Sequence, residues 1–403
     1  MRVLLGAARV GDVPATRALA ALRRGWLAGN PEAEVVGVVC SDAGHDLLDA
    51  IESARGGERV VVPVLDRDGA RSLPALILLV DGTAYVQAVD VLGSVIDPDG
   101  ASDVPDVSRD ESGVSRDGPD AVARRTSFGV GQLVLAAAAT GARRVVVGCG
   151  DAELLDLGVG FLAALGGLDA GALASGALDA GAREAGAPGV PGTAVGSDAL
   201  DEIVTDARAA LVGTELVLAA ASDRTARGLR GAASALGGLV GQETAAAWDA
   251  ALAPTERTLA DAAARSRRPD LLAGEGVAPR ASAVPGSGAG GGLGLAVLAL
   301  GGRVVSGAAF VAAETGLAGR AGEIDLAVSL SDRVDPLEAD RGVLGAVSAV
   351  ARAQGAAALA LGRTGTLDRR AGAPHGVSAA ASVPGDEDGI EAAGRRQGAA
   401  WRW

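Results

Sequence analysis

Both ends of the chain repeat one pattern, short apolar runs of strand length alternating with segments of helical period, and this confines them to a layered α/β fold. Residues 2–6 form the first run, followed by a helix-period segment from Pro14 to Leu27 with Arg17, Arg23 and Arg24 on its polar side. A second run, Val35 to Val39, leads into a helix expected from about Gly44 to Ala54. The alternation returns late: a helix from Leu293, a strand over Ile324–Leu330, a helix near Leu337–Ala351, and strands at Ala357–Leu361 and Val377–Val383. Runs apolar on both faces are the signature of a buried parallel sheet. None reaches the ~20 apolar residues of a membrane span, and the opening residues lack the apolar stretch of a signal peptide. A soluble, doubly wound arrangement of both chain ends is the expectation.

The middle reads differently. Strand-like runs at Arg59–Leu65, Ala75–Val80 and Thr83–Val91 lie close together, and the last two are separated by Asp81-Gly82, a two-residue hairpin signal. A helix near Val130–Ala139 and strands at Val145–Val147 and Leu216–Ala220 follow. This order predicts a mixed α/β domain inserted into the first, with residues 1–56 and 284–403 as the outer domain and 57–283 as the insert. Segments 97–120 and 169–197, rich in Gly, Ala, Ser, Pro and acid, read as loops or linkers.

Charge narrows the partners. The 403 residues carry a formal net charge of -14, and arginine supplies all the side-chain positive charge because the chain has no lysine. Nucleic acid and anionic membrane surfaces favour clustered basic residues, so neither is an expected partner. Cys40 and Cys149 are the only cysteines and each ends an apolar run, which predicts buried free thiols and a cytoplasmic setting.

The sharpest local feature is Val284-Pro285-Gly286-Ser287-Gly288-Ala289-Gly290-Gly291-Gly292-Leu293-Gly294, ahead of an apolar helix. Glycines before a helix let a phosphate approach exposed amides, while a flexible interdomain loop accounts for the same composition. Without lysine it is not a Walker A loop, and no opening strand precedes it as a dinucleotide fingerprint requires.

This stretch resembles the glycerate kinase family's Pro-Gly-Ala-Gly-Ala-Ala-Gly-Gly-Leu-Gly, and Leu300-Gly301-Gly302-Arg303-Val304-Val305-Ser306-Gly307 resembles the Leu-Gly-Ala-Glu-Leu-x-x-Gly that follows it. Gly129-Val130-Gly131-Gln132-Leu133 is similar to the family's Gly-Thr-Gly-Glu-Leu, and His375-Gly376-Val377 to a His-Gly-Ile before its last strand. The resemblance implies a flavodoxin-like domain built from both chain ends, an inserted mixed α/β domain, and a cleft for ATP, magnesium and D-glycerate. Phosphoryl transfer there needs phosphate charge neutralisation, a metal and a group that orients the acceptor hydroxyl.

Many of the family's motif side chains are replaced. Asp-Ser-Phe-Lys-Gly-Ser-Leu becomes Ala8-Arg9-Val10-Gly11-Asp12-Val13-Pro14, and Ala-Asp-Gly-Gly-Glu-Gly-Thr becomes Ser41-Asp42-Ala43-Gly44-His45-Asp46-Leu47. Gly-Gly-Ser-Ala-Thr-Asn-Asp-Gly-Gly-Ala-Gly aligns with 150–160 and keeps Asp156, Gly158 and Gly160; Thr-Gly-Glu-Gly-Arg-x-Asp aligns with 329–335 and keeps Arg333 and Asp335. The resemblance therefore implies Asp42, Asp335 and Arg333 as catalytic residues, Asp156 and Asp335 as magnesium ligands, and Gly286, Gly288, Gly290, Gly291 and Gly292 as the nucleotide contact. Asp42, Asp156 and Asp335 also stand where carboxylates cap helices, and His45 reads as a solvated residue before it reads as a base. Two functions stay open: an ATP-dependent glycerate kinase, or a catalytically lapsed homologue that binds a small molecule or a partner.

Overall fold

The computed structural model describes residues 1–93, 118–171, 195–266 and 279–402. Its strands in chain order are β1 (Arg2–Ala7), β2 (Glu34–Val39), β3 (Glu58–Leu65), β4 (Ser72–Val80), β5 (Thr83–Gln87), β6 (Arg144–Cys149), β7 (Glu215–Ala220), β8 (Arg303–Ser306), β9 (Leu326–Arg333), β10 (Ala357–Thr364) and β11 (Val377–Ser382). They divide between two compact units, one made of Met1–Gly56 and the chain from Ser306 onward, the other of the described residues from Gly57 to Val305.

The first unit is a parallel five-stranded sheet in the order β2-β1-β9-β10-β11. Val3 stands opposite Val35 on one side and Leu326 on the other, so strands from the two chain ends share one ladder. Successive side chains point to opposite faces. Val3 and Leu5 join Leu326, Val328 and Leu361 in a core under helices α1 (Ala15–Gly29) and α5 (Glu387–Ala400), while Leu4 and Ala327 join Val343 and Val347 of α4 (Val343–Gln354) on the other face. The helix α2 (Leu47–Arg55) follows β2.

Helix α1 meets α5 along glycines rather than large side chains. A Cβ at Gly25 would lie 2.0 Å from the Glu391 carbonyl oxygen, and one at Gly29 would lie 2.2 Å from that of Arg395. Gly394 and Gly398 face back at the Leu22 and Trp26 carbonyls, at 2.7 and 2.5 Å from a built Cβ. Backbone thus packs on backbone, and Trp26 is fully buried.

The second unit is a six-stranded sheet in the order β3-β4-β5-β6-β7-β8, antiparallel from β3 to β5 and parallel from β5 to β7. The Asp81-Gly82 hairpin forms as expected, with both residues at positive φ (49° and 75°), as a primed turn requires. Here the boundary expected at 284 is corrected. The loop and helix Ala289–Ala299 belong to this unit, because Leu293, Leu295, Ala296 and Val297 complete its core with Leu154, Leu157 and Leu218. The helix expected over 337–351 is two helices, α3 (Pro336–Arg341) and α4, parted at Gly342. Most of the linkers expected at 97–120 and 169–197 lie outside the described residues.

Candidate functional site

In the first unit the strand order reverses at β1, which lies between β2 and β9. Open parallel sheets take ligands outside the carboxyl ends of their strands at such a point. The loops that leave those ends are 8–14 after β1, 40–46 after β2 and 334–335 after β9.

Asp42 sits in the second loop, half-buried, and its Oδ1 accepts from the Gly44 amide at 2.8 Å. Burial raises its proton affinity, and the Gly44 amide and His45 oppose that rise. Buried Ser41 shapes the turn: its hydroxyl donates to the His45 carbonyl at 2.6 Å and accepts from the Ala43 amide at 3.0 Å. Ala43 and Asp46 both hold positive φ, 72° and 60°, without being glycine. Their places are those of glycines in the resembled motif, so the loop keeps a glycine-type path with other side chains on it. His45 is exposed.

After β9, Asp335 caps α3: its Oδ1 accepts from the Glu338 amide at 2.8 Å, and its Oδ2 accepts from Arg333 Nε. Glu338 then reaches forward, with Oε1 accepting from the Leu344 amide at 3.1 Å in the first turn of α4. A Cβ at Gly342 would lie 1.9 Å from its Oε2, so only glycine leaves room for this carboxyl. Burial pushes Glu338 up to about 7; the charges of Asp42 and Asp335 add to the rise, and the Leu344 amide opposes it. Asp42, Asp335 and Glu338 therefore form one electrostatic group. Sequence reasoning missed Glu338, although Asp335-Pro336-Leu337-Glu338 has the spacing of a helix start with a carboxylate at its third position.

Arginines at this edge are paired. Arg9 makes a two-pronged bond to Asp46, Nε to Oδ2 at 3.0 Å and Nη2 to Oδ1 at 2.8 Å. Arg363 does the same to Asp332, at 2.7 and 3.1 Å, and Asp332 Oδ1 also accepts from the Gly11 amide at 2.7 Å. Neither pair was read from the sequence, since their members lie 37 and 31 residues apart.

The other predicted residues are in the second unit. Asp156 is buried, and its carboxylate accepts from the Ser127 amide and hydroxyl, both at 2.8 Å, and from the Gly158 and Gly160 amides at 2.8 and 3.2 Å. Burial still raises its proton affinity despite these four donors. In the glycine loop the amides of Gly286 and Gly288 donate to the Arg224 carbonyl, that of Gly290 to Gly150 and that of Gly292 to Gly288. Gly286 to Gly292 are buried, and a Cβ at Gly288 or Gly291 would lie 2.1 or 2.3 Å from the Thr225 or Leu154 carbonyl oxygen. Four of the five amides expected at a nucleotide are thus spent on protein carbonyls. The loop's glycines serve close backbone packing here. Among the described residues there is no group of three or more His, Cys, Asp or Glu that could hold a metal ion.

A sequence model described as "Glycerate kinase family" matches residues 11–400. The chain belongs to the glycerate kinase family. An uncharacterized protein of Mycobacterium bovis and one of Mycobacterium tuberculosis are each 29% identical to it over 384 residues, 95% of this chain and 84% of theirs. The crystal structure of a candidate glycerate kinase 2 from Salmonella typhimurium LT2 superposes with a TM-score of 0.65 and 20% identity, over 99% of this chain and 98% of that one. That likeness is one of fold. Within this glycerate kinase family chain, Asp42, Arg333 and Asp335 share the first unit, and Asp156 and the glycine loop share the second. Among the described residues no helix is long and apolar enough to cross a membrane.

Proposed function

We propose that this protein transfers the γ-phosphoryl group of ATP to a hydroxyl of a small hydroxy acid, D-glycerate being the acceptor its family implies. The first unit is read as flavodoxin-like, its strand order being the one that places a ligand at the β1–β9 reversal. The observation that carries the proposal is Glu338, a half-buried carboxyl at that edge held near 7 by burial with Asp42 and Asp335 beside it. A base works best with an affinity near the operating pH. The acceptor hydroxyl gives its proton to the Glu338 carboxylate, its oxygen bonds the γ-phosphorus, and the bond from that phosphorus to the bridging oxygen breaks to release ADP. Arg333, beside Asp335, lends positive charge near the transferred group.

Magnesium takes one or two carboxylates together with water and phosphate oxygens. Asp42 fits that demand as a ligand, and Asp335 fits it once Arg333 releases its Oδ2 and turns to the phosphates; the ion would supply neutralising charge there. Asp156 does not fit it, because four protein donors already occupy its oxygens. The two buried free thiols suit a reducing compartment such as the cytoplasm. They serve no chemistry in this scheme, since burial pushes both up to about 12.

A second reading, a lapsed homologue that binds a small molecule or a partner, is favoured by the arginine pairing: Arg9, Arg333 and Arg363 each already face a carboxylate. Release of ADP from ATP, magnesium and D-glycerate separates the two. The kinase reading expects turnover that depends on D-glycerate and falls about 100-fold or more in Glu338→Gln, the scale of general-base catalysis. No turnover with D-glycerate leaves the second reading.

A further inference from the structure

The second unit has a cavity of its own, of about 350 Å³, bounded by the loop after β7, the helices Gln242–Ala251 and Ala253–Ser266, and the segment 280–283 that leads into the glycine loop. That volume stands at the lower end of small-molecule sites. Among the described residues that line it, Ala283 alone has an apolar side chain, so an apolar ligand finds little to bury against. The charges on its wall are two of each sign: Arg227 and Arg280, Asp249 and Glu256.

One pair is satisfied. Arg227 Nε donates to the Asp249 carbonyl at 2.7 Å and its Nη2 to Asp249 Oδ2 at 3.1 Å, while Asp249 Oδ1 accepts from the Gly228 amide at 3.0 Å. Glu256 is not. Its side chain is only 9% exposed, yet Oε1 stands 3.6 Å from Arg280 Nε and Oε2 stands 3.9 Å from Arg227 Nη1, and neither oxygen accepts a hydrogen bond from a described residue. A carboxylate removed from water without a donor is costly to keep. Arg280, half-exposed, approaches Glu256 and Asp261 at 3.6 and 4.0 Å and likewise donates no hydrogen bond to a described residue. These gaps select by charge. A lone anion meets the Glu256 carboxylate, and a lone cation meets two guanidinium groups. A zwitterion brings Glu256 the donors it lacks and brings Arg280 and Arg227 Nη1 an acceptor. Because Glu256 and Arg280 stand so close together, the two ligand charges must be neighbours, as they are across the single carbon of an α-amino acid.

We propose that this cavity binds a free α-amino acid, its ammonium group on Glu256 and its carboxylate on Arg280, with Arg227 Nη1 as a further donor. The inference goes beyond the kinase reading, since none of these residues belongs to the carboxyl edge of the first unit.

Thermal melting of the full chain with each standard L-amino acid in turn at millimolar concentration, followed by calorimetric titration, tests this. At least one amino acid is expected to raise the melting temperature and to bind. Its affinity should fall about 10-fold or more in Glu256→Gln and in Arg280→Ala, the scale of one charge-assisted contact. The matching hydroxy acid, without the ammonium group, and the matching amino alcohol, without the carboxylate, should each bind weaker by a similar factor. Arg280→Ala removes a half-exposed side chain that makes only long contacts, and it is read alone if Glu256→Gln no longer melts cooperatively. Binding by none of the amino acids overturns the proposal, as does an affinity unchanged in the folded variants or matched by the hydroxy acid or by inorganic phosphate.

Discussion

Replacing Gly25 by alanine sets two effects against each other, and the structure decides the sign. In a helix interior, glycine to alanine is worth roughly 0.5–1 kcal/mol of stability from reduced chain entropy alone. At Gly25, however, the new methyl would lie 2.0 Å from the Glu391 carbonyl oxygen and 3.0 Å from the Arg395 amide nitrogen, both rigid backbone atoms of α5. Relief requires the two helices to separate by roughly 1 Å along a contact that also includes Gly29, Gly394 and Gly398, and overpacking of this kind costs about 1–3 kcal/mol or more. The steric cost wins, with a net loss of about 1–2 kcal/mol, or roughly 2–8 °C in melting temperature for a unit of this size. Trp26 lies in the same contact, so its fluorescence reports the melt. Gly319, in the helix Leu317–Ala321 with nothing within 4 Å of a built Cβ, is the control, and Gly319→Ala should be neutral or stabilising. Stabilisation by Gly25→Ala matching that of Gly319→Ala would refute the reasoning.

Two further outcomes follow from the carboxylates. Folding raises the Glu338 affinity from an ordinary 4.5 to about 7, so the folded state binds this proton more tightly; the contribution is present below 4.5, is lost as pH rises toward 7, and amounts to about 3 kcal/mol at most. Urea midpoints of the unmodified protein should therefore fall over that window relative to Glu338→Gln, and parallel curves would exclude the linkage. Asp156→Ala orphans four buried donors and should cost the second unit about 3–5 kcal/mol, read as an early loss of Trp248 fluorescence.

The alternation of apolar runs and helical segments was legible because the inner strands β1, β9 and β10 are buried on both faces, leaving an uninterrupted run such as Val3-Leu4-Leu5. Helix α5 was not. Its Gly389, Gly394 and Gly398 read as breakers in one dimension, and only the approach of α1 shows that two of them are contact surface. The glycine loop misled for a related reason: composition reveals that backbone comes close to something, and the partner proves to be the Thr225 and Leu154 carbonyls. For the site, spacing placed Asp42 and Asp335 after strands. Glu338 gained its character from burial and from two carboxylates distant in sequence or capping the same helix, and local pattern carries no trace of burial.

The ladder that joins Val3 to Leu326 has a consequence during synthesis. Strands β1 and β2 leave the ribosome about 250 residues before the chain reaches the rest of their unit. At translation rates of about 5–20 residues per second, that is a wait of roughly 12–50 s. Throughout it, β1 has an open edge where β9 will pair, and α1 has no α5 to cover its glycine face. An unpaired strand edge and an uncovered helix face are the features that expose a waiting segment to wrong pairing. The middle unit, contiguous along the chain, can complete its core first.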